Sequence, residues 1–220
     1  MKYIEQKRKI DFILSLVGLI VLSPLFVGIM IAIKLESKGP VFFKQKRVGV
    51  NQTHFKILKF RTMKIDTPKD TPTHLLLDPD LYITKVGKFL RKTSLDELPQ
   101  IINILKGDMA MIGPRPALWN QYDLIEEREK HGANDVLPGL TGWAQINGRD
   151  ELPIKLKAEL DGYYIENISA KMDFRCFLRT LISVLRSEGV LEGGTGTYAN
   201  EVASTTEEKE HTKKNFLKSK

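Results

Sequence analysis

From Phe12 to Ile33 the chain runs without a charged side chain, FILSLVGLIVLSPLFVGIMIAI, and the pair Ser23-Pro24 sits near the middle of that run. About 22 residues at 1.5 Å each reach roughly 33 Å, enough to match the hydrocarbon core of one bilayer. A secretory signal would have a shorter apolar region closed by a small-residue cleavage site. Here the run passes directly into Lys34, Leu35 and Glu36, so it is expected to be retained. Two features set it apart from a plain span. Both flanks are basic, with Lys2, Lys7, Arg8 and Lys9 before it and Lys34, Lys38, Lys44, Lys46 and Arg47 after it. Positive charge on both sides cannot satisfy the positive-inside rule for a straight crossing. Proline at the midpoint removes a backbone donor and clashes with the preceding turn, and the Ser23 hydroxyl is placed to satisfy a freed carbonyl. A kinked span and a helix-break-helix that enters and leaves by one face both fit these residues.

Residues 36–190 have the composition of a soluble domain, long enough to bury a core. The expected organisation is an anchor over 1–35, a catalytic domain over 36–190 and a flexible charged tail over 191–220. The net charge of +7 attracts polyanions, including nucleic acid, anionic lipid and phosphorylated small molecules. The single cysteine, Cys176, excludes an internal disulfide and a multi-thiolate zinc site. His54, His74, His131 and His211 are scattered without metal-ligand spacing. Asp78-Pro79-Asp80 has the outline of a metal-binding DxD pattern but reads as an ordinary turn. No GxxxxGK[ST] or GxGxxG loop is present, which argues against a P-loop nucleotidase or a dinucleotide-binding enzyme.

Short strands are expected at Val41 to Phe43 and around Phe55 to Phe60, with an irregular loop over Thr67 to Thr73. Helices are expected over Ser94 to Lys106, stopped by Gly107, and over Trp119 to Lys130, Lys155 to Tyr164 and Phe174 to Arg186. The mixture is α+β (a helix-rich α/β domain).

The most informative stretch is Arg91-Lys92-Thr93-Ser94-Leu95-Asp96-Glu97-Leu98-Pro99. Ser94 and Glu97 have capping-box spacing, and Asp96 in the same turn would favour the positive end of a helix dipole. That field would also keep a carboxylate ionised and able to attack. Arg91 and Lys92 would draw a phosphate to the same place. Lys59-Phe60-Arg61-Thr62-Met63 ends a strand with two cations. Ile112-Gly113-Pro114-Arg115-Pro116 is a stiff turn presenting one arginine fork suited to phosphate oxygens. Pro138 to Arg149, PGLTGWAQINGR, adds a glycine turn, an aromatic face and a cation. Carboxylates among cations and glycine turns are what phosphoryl transfer requires.

The segments KRKIDF, SP, GPVFFKQKRVG, FKILKFRTM, TSLDELPQ, LKGDM, IGPRP and PGLTGWAQINGR, in that order between Lys7 and Arg149, resemble the monotopic phosphoglycosyl transferases, also called bacterial sugar transferases, in their minimal single-domain form. The resemblance covers roughly Lys7 to Leu185. It implies a re-entrant membrane helix broken at Ser23-Pro24, with the catalytic domain on the cytoplasmic face of the cell membrane. It implies attack by Asp96 on the sugar-bearing phosphate of a UDP-sugar, departure of UMP, and transfer of the phosphosugar from an acyl phosphate to polyprenol phosphate (undecaprenyl phosphate). Such a step opens capsule, exopolysaccharide or glycoconjugate synthesis. Glu97 would hold Mg²⁺ against the diphosphate. Lys59 and Arg91 match residues near the phosphates, Arg115 matches an arginine implicated in nucleotide binding, and Asp161 in AELDGYY matches a further acidic residue of the site. Rival classes are a membrane-bound glycosyltransferase releasing UDP, a nonenzymatic interaction protein, and nucleic-acid binding, which is not expected because the basic residues adjoin lipid and phosphate motifs. The sugar is undetermined by sequence, and a homodimer is neither required nor excluded.

Overall fold

The computed structural model describes residues 2–67, 81–148 and 152–185. Two helices open the chain, α1 (Lys2–Val21) and α2 (Ser23–Glu36), bent by 61° at the serine-proline pair. Pro24 stands in the first turn of α2, where its fixed φ suits a helix start, and its missing N–H leaves the Ile20 carbonyl at the end of α1 without a backbone donor. The Ser23 hydroxyl donates to the Ile20 carbonyl at 2.7 Å, the local repair expected from sequence. No single helix among the described residues is long and apolar enough to cross a membrane, but this bent pair meets the length and composition together.

α1 is patterned inside out. Lys7, Asp11 and Ser15, spaced four apart and so on one face, are buried against the rest of the protein, while Ile20 and Val21 are 64% and 68% exposed. Lys7 lies 3.1 Å from Asp11 and 2.9 Å from Asp173, and Asp173 also accepts from Tyr3 and Tyr164. The charged face is therefore the inner one. α2 does the opposite: Phe26, Ile29 and Ile33 enter a core with Phe60 and Leu90, where the Phe26 and Phe60 rings meet edge-on at 5.2 Å. Each such burial is worth about 1.5–3 kcal/mol, so α2 is packed into the domain rather than tethered to it.

β1 (Phe42–Val48) and β2 (His54–Phe60) form an antiparallel hairpin in the register Phe42↔Phe60 to Val48↔His54. α3 (Lys85–Lys92), a 3₁₀ turn at Leu95–Glu97 and α4 (Gln100–Lys106) follow. β3 (Ala110–Ile112) and β4 (Gly139–Thr141) pair in parallel and are joined through α5 (Tyr122–Glu129). α6 (Trp143–Ile146), α7 (Ile154–Glu166) and α8 (Ala170–Leu185) complete the described chain. The α+β, helix-rich class holds.

Several expectations are corrected. The first strand is longer than Val41 to Phe43 because its hairpin partner continues to His54. The helix expected from Trp119 begins at Tyr122, because Leu118 is held extended in a bridge to Arg47. The helix expected from Ser94 is split into the 3₁₀ turn and α4. Gly107 ends α4 as expected, with φ at +86°, a conformation costly for any residue with a Cβ. Most of the loop at Thr67 to Thr73, His74, the Asp78-Pro79-Asp80 turn, Arg149, His211 and the tail over 191–220 lie outside the described residues.

Candidate active site

β2 supplies the first cation. Alternation along the strand sends Phe60 into the core under α2, and sends Lys59 to the opposite face. Arg61, read from sequence as a second phosphate-seeking cation, is instead buried and donates to the Ser37 and Lys38 carbonyls just beyond α2. It ties the end of the bent pair to the strand.

The second cation depends on how closely α3 crosses the strand end. A Cβ at Gly87 would stand 2.0 Å from the Thr62 carbonyl oxygen, so only glycine permits this approach. Arg91, four residues later and on the same face, donates from Nε to Thr62 Oγ1 at 2.9 Å. The start of α3 is capped by Thr84 Oγ1, which accepts from Gly87 N. The Glu36 carboxylate also caps it, accepting from Lys85 N at 2.6 Å and Val86 N at 2.9 Å. One chain of contacts thus runs from α2 through Glu36 and α3 to Arg91.

The two acidic residues arrive by a different local route from the one sequence suggested. Ser94 has φ of +56° and makes no side-chain cap, so the capping box does not form. The left-handed residue turns the chain between α3 and the 3₁₀ turn, and Glu97 points away to accept from Lys59 Nζ at 2.6 Å and Arg115 Nη2 at 3.1 Å. Lys59 Nζ is also 3.9 Å from Asp96 Oδ2. The Asp96 and Glu97 side chains are 13% and 20% exposed, shielded but reachable.

The two neighbours titrate in opposite directions. Burial pushes the Asp96 carboxyl above its ordinary value, opposed by Lys59, with Glu97 adding to the rise and Arg91 and Arg115 opposing it. For Glu97 burial acts the same way, but the cations Arg115 and Lys59 overcome it and hold the carboxyl well below the usual carboxylate range. This corrects the expectation that a helix dipole keeps Asp96 ionised. The ionising influence comes from side-chain cations, and burial works against it.

Arg115 sits just past β3, and the glycine turn Pro138 to Gly142 includes β4. The chain folds back after β3, and the Pro114 carbonyl accepts from Gly139 N at 2.9 Å, so the turn that carries Arg115 packs against the start of β4. Asp161, on α7, is 1% exposed and bonded to Arg128, which in turn donates to the Arg115 carbonyl. The structure thus brings Lys59, Asp96, Glu97 and Arg115 into contact, places Arg91 within electrostatic reach of Asp96, and sets Asp161 one residue removed. Arg128 was not singled out from sequence. Its spacing four after the buried Leu124 puts it on the inward face of α5, and that was the available signal.

Among the described residues no three His, Cys, Asp or Glu side chains come together as a metal cage. Two adjacent carboxylates are nevertheless the donor set Mg²⁺ commonly takes when substrate phosphates and water complete its shell. Hard oxygen donors beside phosphate-seeking cations fit that ion.

The profile of the family described as "Bacterial sugar transferase" matches residues 2–187, and the chain belongs to that family. The protein is a transferase. It is 40% identical over 184 residues to the sugar transferase EpsL of Bacillus subtilis (strain 168), spanning 84% of this chain and 89% of that one. It is 38% identical over 190 residues to the UDP-glucose:undecaprenyl-phosphate glucose-1-phosphate transferase of Xanthomonas campestris pv. campestris, spanning 83% of this chain and 39% of that one. It is 37% identical over 191 residues to the UDP-N-acetylgalactosamine-undecaprenyl-phosphate N-acetylgalactosaminephosphotransferase of Aeromonas hydrophila, spanning 83% and 44%. The chain therefore spans less than half the length of these last two relatives.

Proposed function

We propose that this protein transfers a sugar-1-phosphate from a UDP-sugar to undecaprenyl phosphate, through a phosphosugar carried on Asp96. In the first half-reaction an Asp96 carboxylate oxygen bonds to the sugar-bearing phosphorus, the bond from that phosphorus to the bridging oxygen breaks, and UMP leaves with the electron pair. In the second, a phosphate oxygen of the acceptor attacks the same phosphorus and the carboxylate departs, leaving undecaprenyl-diphospho-sugar. No proton has to move in either step, because both nucleophiles are anions.

The observation that carries this reading is the geometry of the two acids: Glu97 is held by Lys59 at 2.6 Å and Arg115 at 3.1 Å, while Asp96 beside it stands 3.9 Å from the same lysine. A carboxylate bound by two cations, as Glu97 is, is a poor nucleophile. The more basic Asp96 carboxylate, 3.9 Å from one ammonium, is the better one. Attack by an anion on an anionic diphosphate meets repulsion of about 4 kcal/mol at 4 Å and an effective dielectric of 20. Lys59, Arg91 and Arg115 offset it by facing the phosphate oxygens. Glu97 is the side chain that would hold Mg²⁺, which would supply further charge neutralisation at the diphosphate. The names of the Xanthomonas and Aeromonas relatives support a UDP-sugar donor and an undecaprenyl-phosphate acceptor.

The acceptor places its phosphate at the headgroup level, so the site has to face a membrane. The bent α1–α2 pair is read as a re-entrant anchor whose exposed apolar side, with Ile20 and Val21, lies in lipid while Lys7, Asp11 and Ser15 face protein. The catalytic domain would lie on the cytoplasmic side, where UDP-sugars are made, and the reaction would begin exopolysaccharide or capsule assembly. Incubating membranes that carry the protein with undecaprenyl phosphate and a panel of UDP-sugars tests the reading. Release of UMP with formation of a lipid-diphospho-sugar supports it, and release of UDP would mean transfer of the sugar without its phosphate.

A further inference from the structure

The turn that carries Arg115 is flanked by Pro114 and Pro116, neither of which has an N–H to donate. Such a turn is located mainly through its carbonyl oxygens. All three are engaged from elsewhere in the fold. The Pro114 carbonyl accepts from Gly139 N at 2.9 Å, the Arg115 carbonyl from Arg128 Nη1 at 2.8 Å, and the Pro116 carbonyl from Arg47 Nη1 at 3.0 Å. The middle bond is the one made to the residue whose guanidinium reaches Glu97.

Arg128 is itself fixed from below. It is 3% exposed, and its Nε and Nη2 both donate to Asp161 Oδ2, at 2.8 and 2.6 Å. Only an arginine fork can hold a carboxylate with two nitrogens and a carbonyl with the third. A buried arginine–carboxylate pair so far from solvent adds little net stability over an apolar pair of the same volume. What it contributes is a fixed distance between α7, α5 and the Pro-Arg-Pro turn.

We infer that Arg128 is a positioning residue for the transfer reaction, and that Asp161 serves the site through Arg128 rather than by touching substrate. This inference rests on the function proposed above. The Asp161–Arg128 pair holds the Arg115 backbone so that its guanidinium meets both Glu97 and the diphosphate of the incoming nucleotide-sugar. Because Arg115 would bind the diphosphate before and during the transfer alike, loosening it weakens substrate binding more than the chemical step.

Two variants test this. Arg128→Met with Asp161→Leu removes both charges together and so avoids leaving one buried alone. Arg128→Lys keeps a cation beside Asp161 but gives up the fork, and carries the test should the double variant not fold. In either, KM for the UDP-sugar is expected to rise about tenfold with kcat changed less than about threefold. In an Arg115→Ala background the same substitutions should add almost nothing, because Arg128 acts only through that residue. A loss of equal size in both backgrounds, or a fall confined to kcat, would overturn the inference while leaving the reaction itself standing. Hydrogen exchange over residues 113–118 gives a readout independent of turnover. It is expected to quicken at least about tenfold in the variants while α4 is unchanged, and unchanged exchange in that turn would overturn the inference as well. If the unaltered protein releases no UMP from any UDP-sugar, the reaction is wrong, and the exchange result still decides the role of Arg128 at the turn.

Discussion

The Lys59 ammonium lies 2.6 Å from Oε1 of Glu97, and the same nitrogen is 3.9 Å from the neighbouring Asp96. Burial raises Asp96 against this one distant cation, whereas at Glu97 the Arg115 guanidinium and the close Lys59 ammonium together overcome burial, so the two adjacent acids shift in opposite directions.

Removing that cation should move the acid limb of the rate. Asp96 acts only as an anion, and its folded-state value is raised above the ordinary 3.8. The rate kcat/KM should therefore fall as pH drops through that raised value, above where an unperturbed aspartate would titrate. Lys59 opposes the rise, so Lys59→Met should shift the limb to still higher pH and lower the rate at neutrality by about 10²-fold or more. A pH profile of UMP release checks it. A limb that stays in place or moves to lower pH would remove Lys59 from this role.

Glu97 has the opposite sign. Its folded-state value is depressed below 4.5, so its contribution to stability is complete above that value and is lost as pH falls towards the folded one. Glu97→Gln should flatten the acid-side loss of Tm below about pH 4.5. It should also raise the Mg²⁺ concentration needed for half-maximal activity. An unchanged metal response would assign the ion to other residues.

Gly87 offers a test of how the site is built. A methyl group there would meet the Thr62 carbonyl oxygen at 2.0 Å, a backbone atom that cannot swing aside. Gly87→Ala should cost about 1–3 kcal/mol, or more, by overpacking, and lift Arg91 from its bond to Thr62. Thermal unfolding in detergent and a rise in KM for the UDP-sugar are the measurements. A neutral substitution would mean that α3 is free to shift without consequence for Arg91.

The bend between α1 and α2 should depend on Pro24. With Pro24→Ala the helix regains a backbone hydrogen bond and loses the steric clash, so the 61° bend should open. In a Cys176→Ala background, a cysteine at Lys2 labelled from either side of sealed vesicles reports which face the N-terminus occupies. The parent chain should label from the side that carries the catalytic domain, and Pro24→Ala should label in part from the other. Identical labelling would show that the proline does not set the topology.

Much of this was legible in sequence. The serine-proline break and the two central strands followed from local chemistry. The segments holding Lys59, Asp96, Glu97 and Arg115 were each visible, and the fold brings them together. What failed depended on contacts between distant segments. Ser94 and Glu97 have capping-box spacing, yet Glu97 bonds to Lys59 and Arg115, which are 38 and 18 residues away. Arg61 reads as a phosphate-seeking cation but is consumed by the carbonyls after α2. Arg128 reads as one more charge on an amphipathic helix until Asp161 is found beneath it. Spacing reports faces of elements, and it does not report which elements meet.

The covalent step is the center of this account, and Asp96 is where it should be found. The purified protein, mixed with an accepted UDP-sugar in the absence of lipid acceptor and quenched rapidly, should release UMP in an amount comparable to enzyme and carry the mass of one phosphosugar. Peptide mass spectrometry should place that mass on Asp96, and Asp96→Asn, still folded, should show neither adduct nor turnover. Absence of any adduct, with UMP appearing only once undecaprenyl phosphate is added, would contradict a carboxylate nucleophile and point to direct transfer between the two substrates.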